Sequence, residues 1–251
     1  LDTELVIEGY PRSANSTTVY GFLDRQPKDL RVAHHKHHAA QLLRAVEWAI
    51  PAVLLVRAPR QAAISNLALA AEARERSGHA KEPGLEEIDV MRSWVAFYRA
   101  VLPVLDRLVI APFEEVTSDI GPMIRAVNTR FGTDFSDTPV AETGTSTLGW
   151  HATPNPLRGG IKSEIEASFA LALASTPRLR ALNSAAILVR SATVFRSQIN
   201  KTPTCEVSLY QSDVLSRQAL GFEQSIDAVI VQGCQASRVT QVLIPVIGVI
   251  R

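Results

Sequence analysis

The sequence predicts an α/β fold, a parallel sheet flanked by helices, and three observations carry that expectation. Short apolar runs of strand composition fall near 5–9, 31–34, 52–56 and 108–113. Stretches of helical character separate and follow them, near 16–24, 39–49, 59–76, 86–106, 119–131 and 161–190. Alternation of this kind implies parallel strands with helical crossovers covering the sheet. Finally, 46% of the 251 residues are hydrophobic, ample for the core of one domain of generous size.

The first run, Leu5-Val-Ile7, breaks at Gly9 and Pro11 and passes through small hydroxyl-bearing residues into Val19-Tyr-Gly-Phe-Leu23, read as a helix. A strand, a tight loop and a helix N-terminus together bind anions, because the first N–H groups of a helix lack internal partners and the helix dipole favours negative charge there. Arg12 adds a permanent charge, and Ser13, Ser16, Thr17 and Thr18 add hydroxyl donors. The Gly-Lys-Ser/Thr ending of a Walker A loop is absent. The same turn also reads as an ordinary helix cap.

The second run leads into Val32-Ala-His-His-Lys-His-His38, with four histidines within five residues. Imidazole binds zinc, copper and nickel. Adjacent histidines on a strand point to opposite faces, however, and no Cys or carboxylate lies close in sequence, so no metal is expected. The third run, Ala52 to Val56, ends in Arg57. Pro59 suits the first turn of the next helix, and Ser65 lies about two turns into it. Arg57 and Ser65 either converge on one phosphate or are an exposed Arg and a solvated Ser.

The pattern Met91-Trp94-Val95-Tyr98-Val101-Leu102-Leu105 has helical periodicity and reads as core. Val109 to Val116, then Asp119 to Phe131 with Gly132, reads as a strand, a capped helix and a Gly stop. Pro154 to Lys162 reads as a Pro/Gly-rich loop carrying Arg158, Gly159 and Gly160. Trp150 and His151 just before it either line a pocket or are plain loop residues. Ligands of parallel sheets sit beyond the C-terminal strand ends. Arg12, His37 and Arg57 all follow strand ends, so they are expected to meet in one cleft.

Two segments together resemble the nucleotide-binding motifs of the sulfotransferase family. Tyr10-Pro-Arg-Ser-Ala-Asn-Ser-Thr17 is similar to its phosphosulfate loop, and Val56-Arg-Ala-Pro-Arg-Gln-Ala-Ala-Ile-Ser65 to its 3′-phosphate motif. Ala14 replaces the usual loop glycine, and Gln61 stands where Asp is common. The resemblance implies a P-loop nucleotide-hydrolase-like architecture and transfer of a sulfuryl group from 3′-phosphoadenosine 5′-phosphosulfate (PAPS) to a hydroxyl or amine. The acceptor would be a small molecule, carbohydrate or lipid. It implies donor binding by Arg12, Ser13, Ala14, Asn15, Ser16, Thr17, Arg57 and Ser65, with Arg158, Gly159 and Gly160 as the late loop over the nucleotide. Arg12 would also stabilise charge on the bridging oxygen. A Lys-Thr-His-like segment supplies that family's base, and Lys36-His-His38 occupies its place. Alignment on Lys36 selects His38, whereas alignment on Gln41-Leu-Leu selects His37, the first choice. No metal enters this scheme.

A net charge of +1 argues against a broad nucleic-acid surface. No stretch reaches the roughly 20 apolar residues of a membrane span, and a cytoplasmic location is expected. Domain boundaries are drawn at 1–195 for the α/β domain and 196–251 for a weakly strand-like tail. Residues 199–251 hold only 8 of the 51 charged residues but both cysteines, Cys205 and Cys234, which marks the composition shift. These form a disulfide or remain free thiols, and the tail is an added β element, an interaction arm or a poorly packed appendage. Two other function classes stay open: a non-catalytic nucleotide-binding protein of the same fold, and a P-loop-like small-molecule kinase. The kinase should carry a Walker lysine and carboxylates for magnesium, and neither pattern is found.

Overall fold

The computed structural model describes residues 2–79, 83–138, 155–200, 210–212, 226–235 and 238–247. Trp150, His151 and Cys205 lie outside the described residues. The chain divides into two compact units, Leu1–Val194 and Phe195–Arg251.

In the first unit, β1 (Leu5–Gly9), β2 (Val32–His34), β3 (Ala52–Val56) and β4 (Val109–Pro112) form a sheet in the order β2-β1-β3-β4. Every pairing is parallel, with Ile7 opposite His34 and Val53, and Val56 opposite Pro112. The crossovers carry α1 (Asn15–Leu23), α2 (Ala39–Glu47), α3 (Pro59–Arg76) and α4 (Glu87–Val101), the last extended by a 3₁₀ turn at Leu102–Arg107. After β4 come α5 (Phe113–Ser118), α6 (Gly121–Phe131), α7 (Pro156–Ser175) and α8 (Pro177–Asn200).

Strand alternation sends successive side chains to opposite faces. Val6, Leu54, Val56 and Ile110 pack with Leu42 of α2, Ile64 of α3 and Trp94 and Tyr98 of α4. Leu5, Ile7, Val53, Leu55 and Val109 pack with Val19 and Phe22 of α1 and Ile124 of α6. Continuous apolar strands are therefore what a sheet covered on both faces requires. Each fully buried side chain such as Phe22, Leu42 or Met91 contributes about 1.5–3 kcal/mol. Leaving β1, the chain goes to β2 on one side and then crosses to β3 on the other. The crevice at the C-terminal ends of β1 and β3 is therefore a topological switch point.

Three expectations need correction. The strand expected over 109–116 ends at Pro112, and Phe113–Ser118 is a helix. The single helix expected over 161–190 is two helices, because Pro177 disfavours helical backbone at Thr176, which sits at φ −106° and ψ 102°. The loop expected over 154–162 is a helix start. Asn155 caps α7 by accepting from the Arg158 N–H at 2.9 Å, and Pro156 occupies the first turn, so Gly159 and Gly160 are helical.

The second unit holds an antiparallel sheet of β5 (Tyr210–Ser212), β6 (Ile226–Gln235) and β7 (Arg238–Ile247), in that order. Pro245 stands opposite Ala228 on β7, an edge strand, where a missing N–H costs no ladder bond.

Candidate functional site

At the end of β1 the backbone turns sharply. Gly9 is required there, since a Cβ would meet the Leu55 carbonyl oxygen at 2.7 Å. Arg12 and Ala14 both adopt left-handed backbone, at φ 68° and 69°. Ala14 is the N-cap of α1 and makes no side-chain cap, so the turn is not held by a capping hydroxyl. It is braced from behind. Ser13 is fully buried against the Tyr98 hydroxyl at 3.4 Å, and its N–H donates to the Tyr10 carbonyl. Tyr98 in turn donates to the Leu55 carbonyl at 2.8 Å, while Tyr10 donates to the Val90 carbonyl at 3.0 Å. Burial pushes the Tyr98 phenol well above its usual range, so it stays a donor.

The turn opens on a cleft of about 710 Å³, within the range for small-molecule sites. Arg12, Ala14, Asn15, Ser16, Thr17, His37, Arg57, Ser65, Arg158 and Gly159 all line it, drawn from the elements after β1, β2 and β3 and from α7. Ser13, His38 and Gly160 are not among its lining residues. His38 is exposed at the N-cap of α2. No Asp or Glu is among the described lining residues, whereas Lys162 adds a fourth cation.

Three guanidinium groups thus face one space. Arg12 donates through Nε to Ser65 Oγ at 3.0 Å. Burial and repulsion from Arg158 and Arg57 lower its pKa to about 10, so it remains charged at neutral pH. Arg57 donates to the Arg12 carbonyl at 2.7 Å and lies 4.0 Å from the Phe113 ring centre. Burial lowers its pKa too, and its Nε is buried with no hydrogen-bond partner among the described residues. Arg158 donates to Glu72, a side chain 0% exposed on α3 that also accepts from Asn155 at 3.0 Å and Arg76 at 2.8 Å. Burial pushes the Glu72 carboxyl up. The bonds from Arg158, Arg76 and Asn155 outweigh this and hold it below the usual carboxylate range.

The histidine run departs from its expected geometry. β2 ends at His34, and His35 and His37 take positive φ of 59° and 53°, so strand alternation does not decide which imidazoles share a face. His35 Nε2 lies 2.8 Å from Ser16 Oγ. His37 Nδ1 is 3.1 Å from the Gly9 carbonyl oxygen and 3.5 Å from Glu8 Oε1. A carbonyl only accepts, so Nδ1 carries the hydrogen and Nε2 is the accepting nitrogen of the neutral ring. Burial disfavours the charged imidazole, but Glu8 and the Gly9 carbonyl outweigh it and raise the His37 pKa. Among the described residues no group of three or more His, Cys, Asp or Glu is placed to hold a metal.

Sequence reasoning missed Glu8, Glu72, Phe113 and Lys162. A carboxyl group inside β1 was the available signal for Glu8, as was an acid set between Ala71 and Ala73 of α3 for Glu72.

No protein-family model matches the chain, and no curated protein matches it. A solved structure of mouse sulfotransferase SULT7A1 in complex with PAP is similar to 73% of this chain and 89% of that one, at 11% identity and a TM-score of 0.43. Among the described residues no helix is long and apolar enough to cross a membrane.

Proposed function

We propose that the protein binds PAPS in the cleft at the switch point and transfers its sulfuryl group to an acceptor hydroxyl. The observation that carries this reading is the convergence of Arg12, Arg57 and Arg158, with Lys162 at the same cleft and no facing acid among its described lining residues. So much like charge brought together favours an oxyanion-rich ligand. The buried Arg57 Nε, lacking a partner among the described residues, supports it further.

Arg12, the first N–H groups of α1 and the side chains of Ser16 and Thr17 would hold the phosphosulfate end. Arg57 and Ser65 would read the 3′-phosphate, and Arg158 and Lys162 would close over the nucleotide. The acceptor oxygen attacks sulfur in line and gives its proton to His37 Nε2. The bond from sulfur to the phosphate oxygen breaks, leaving a sulfate ester and adenosine 3′,5′-bisphosphate. Negative charge that builds on the departing oxygen is stabilised by Arg12.

A thermal-shift comparison tests this reading. Adenosine 3′,5′-bisphosphate at a hundredfold excess over its Kd stabilises by about 2.7 kcal/mol, and ADP and ATP at the same concentration should shift Tm less. A larger shift with ATP would overturn the proposal in favour of a kinase.

A further inference from the structure

We propose that Glu8 is a positioning residue whose buried carboxyl group clamps the main chain at Lys36 and His37 and presents the His37 ring to the cleft in one tautomer. Its role in turnover rests on the reading of His37 as the base, whereas its effect on the ring does not.

Glu8 lies inside β1 with 0% exposure, between Ile7 and Gly9. A carboxyl group in such a place is costly unless its lone pairs are used. They are. Oε1 accepts from the Gly9 N–H at 3.0 Å, and Oε2 accepts from the N–H groups of Lys36 at 2.8 Å and His37 at 3.0 Å. Gln41 of α2, with its amide turned to suit both neighbours, donates to Oε2 at 2.7 Å and accepts from the His34 N–H at 3.3 Å.

The ladder between β1 and β2 stops at Ile7 and His34. Beyond it a side chain takes over from the main chain, so two residues with positive φ, His35 and His37, are held where β2 alone would not hold them. The loop then seats His37 Nδ1 on the Gly9 carbonyl, next to the N–H that Glu8 itself binds. When Nε2 takes a proton, the resulting cation faces Glu8 Oε1 at 3.5 Å. The other groups facing the ring are Arg12, which opposes that charge, and His35, whose ring centre is 6.0 Å away.

The test follows the ring nitrogens by NMR over a pH titration of the full chain, with the His37 signals assigned through His37→Gln. In the unsubstituted protein the neutral His37 ring should be the Nδ1–H tautomer, with a pKa above that of free histidine. In Glu8→Gln the pKa should fall and the tautomers mix, while the Kd for adenosine 3′,5′-bisphosphate stays nearly unchanged. Turnover of Glu8→Gln at pH above both transitions, where protonation no longer differs, should drop about 10²-fold. Its acid limb should move to lower pH. Glu8→Asp keeps the charge at shorter reach and should disturb the tautomer more than the pKa. If Glu8→Gln does not fold, Glu8→Asp and the unsubstituted protein decide. Mixed tautomers or an unraised His37 pKa in the unsubstituted protein would overturn the proposal, as would an unchanged ring in a folded Glu8→Gln. Failure of the sulfotransferase reading looks different: the nucleotide would not bind, and the ring titration would stand.

Discussion

Arg57 donates to the main-chain oxygen of Arg12 at 2.7 Å, tying the end of β3 to the turn after β1 across 45 positions of sequence. The bond fixes the left-handed backbone of Arg12 and aims two cations at one place. It also leaves the buried Arg57 Nε without a partner among the described residues.

Replacing Arg57 with Ala is therefore expected to weaken adenosine 3′,5′-bisphosphate by roughly 2–4 kcal/mol, the range for breaking a charge-assisted pair in a partly desolvated site. AMP lacks the 3′-phosphate and should lose little. Calorimetric titration of both ligands checks this, and equal losses would show that Arg57 does not read the 3′-phosphate.

His37→Ala should lower turnover by about 10²–10⁴-fold while nucleotide affinity is nearly intact. His38→Ala should be mild, since that side chain is exposed at the N-cap of α2. The raised His37 pKa sets the sign of the pH dependence. Below it the ring is protonated and no base is available, so turnover rises with pH through that value. Stability runs the other way: the contribution of the charged ring is complete below the unfolded pKa and is lost as pH rises through the folded one. A pH–rate profile with an unchanged acid limb in His37→Ala would assign catalysis to another group.

Glu72→Gln should lower Tm and weaken the nucleotide together, because one carboxyl group holds both Arg158 and the α7 cap residue Asn155. The Glu72 pKa is depressed, so its stabilisation is present above the unfolded carboxyl value and disappears as pH falls through the folded one. Urea midpoints should differ between Glu72→Gln and the unsubstituted protein at pH 7 and converge in strong acid. A gap that persists in acid would mean packing, not charge, sets the effect.

Ala14→Gly should stabilise the protein. Left-handed backbone costs a residue with a Cβ about 1–2 kcal/mol, while the freer unfolded chain of the Gly variant returns roughly 0.4–1 kcal/mol of that gain. A net rise of about 0.5–1 kcal/mol in denaturant unfolding is expected, with nucleotide affinity maintained. A loss of stability would show that the Ala14 methyl group, packed at the edge of the core, matters more than its φ of 69°.

The parts of the fold that were legible in the sequence are those fixed by local composition. Leu5 to Ile7 and Ala52 to Val56 are apolar without interruption, as strands buried on both faces must be; Arg57 follows the second directly, and Arg12 sits in the turn after β1. What stayed hidden depends on partners far along the chain or on unusual backbone. Arg158 faces the cleft from a helix rather than a loop because Asn155 and Pro156 outweigh two glycines. The His35 and His37 conformations follow from Glu8, which no periodicity near residue 35 reveals.

The bond between Glu72 and Arg158 spans 86 positions, and this has a bearing on how the protein is made. Chains emerge from the ribosome N-terminus first, at about 5–20 residues per second. A nascent chain released through α6 already owns all four strands of the first sheet, with Arg12 and Arg57 in hand. It also carries Glu72, paired with Arg76 of the same helix but not yet with Arg158 or Asn155. If the cleft binds nucleotide as proposed, its completion is thus a late event in biosynthesis, timed by the arrival of α7, and the half-made protein should hold nucleotide poorly until then.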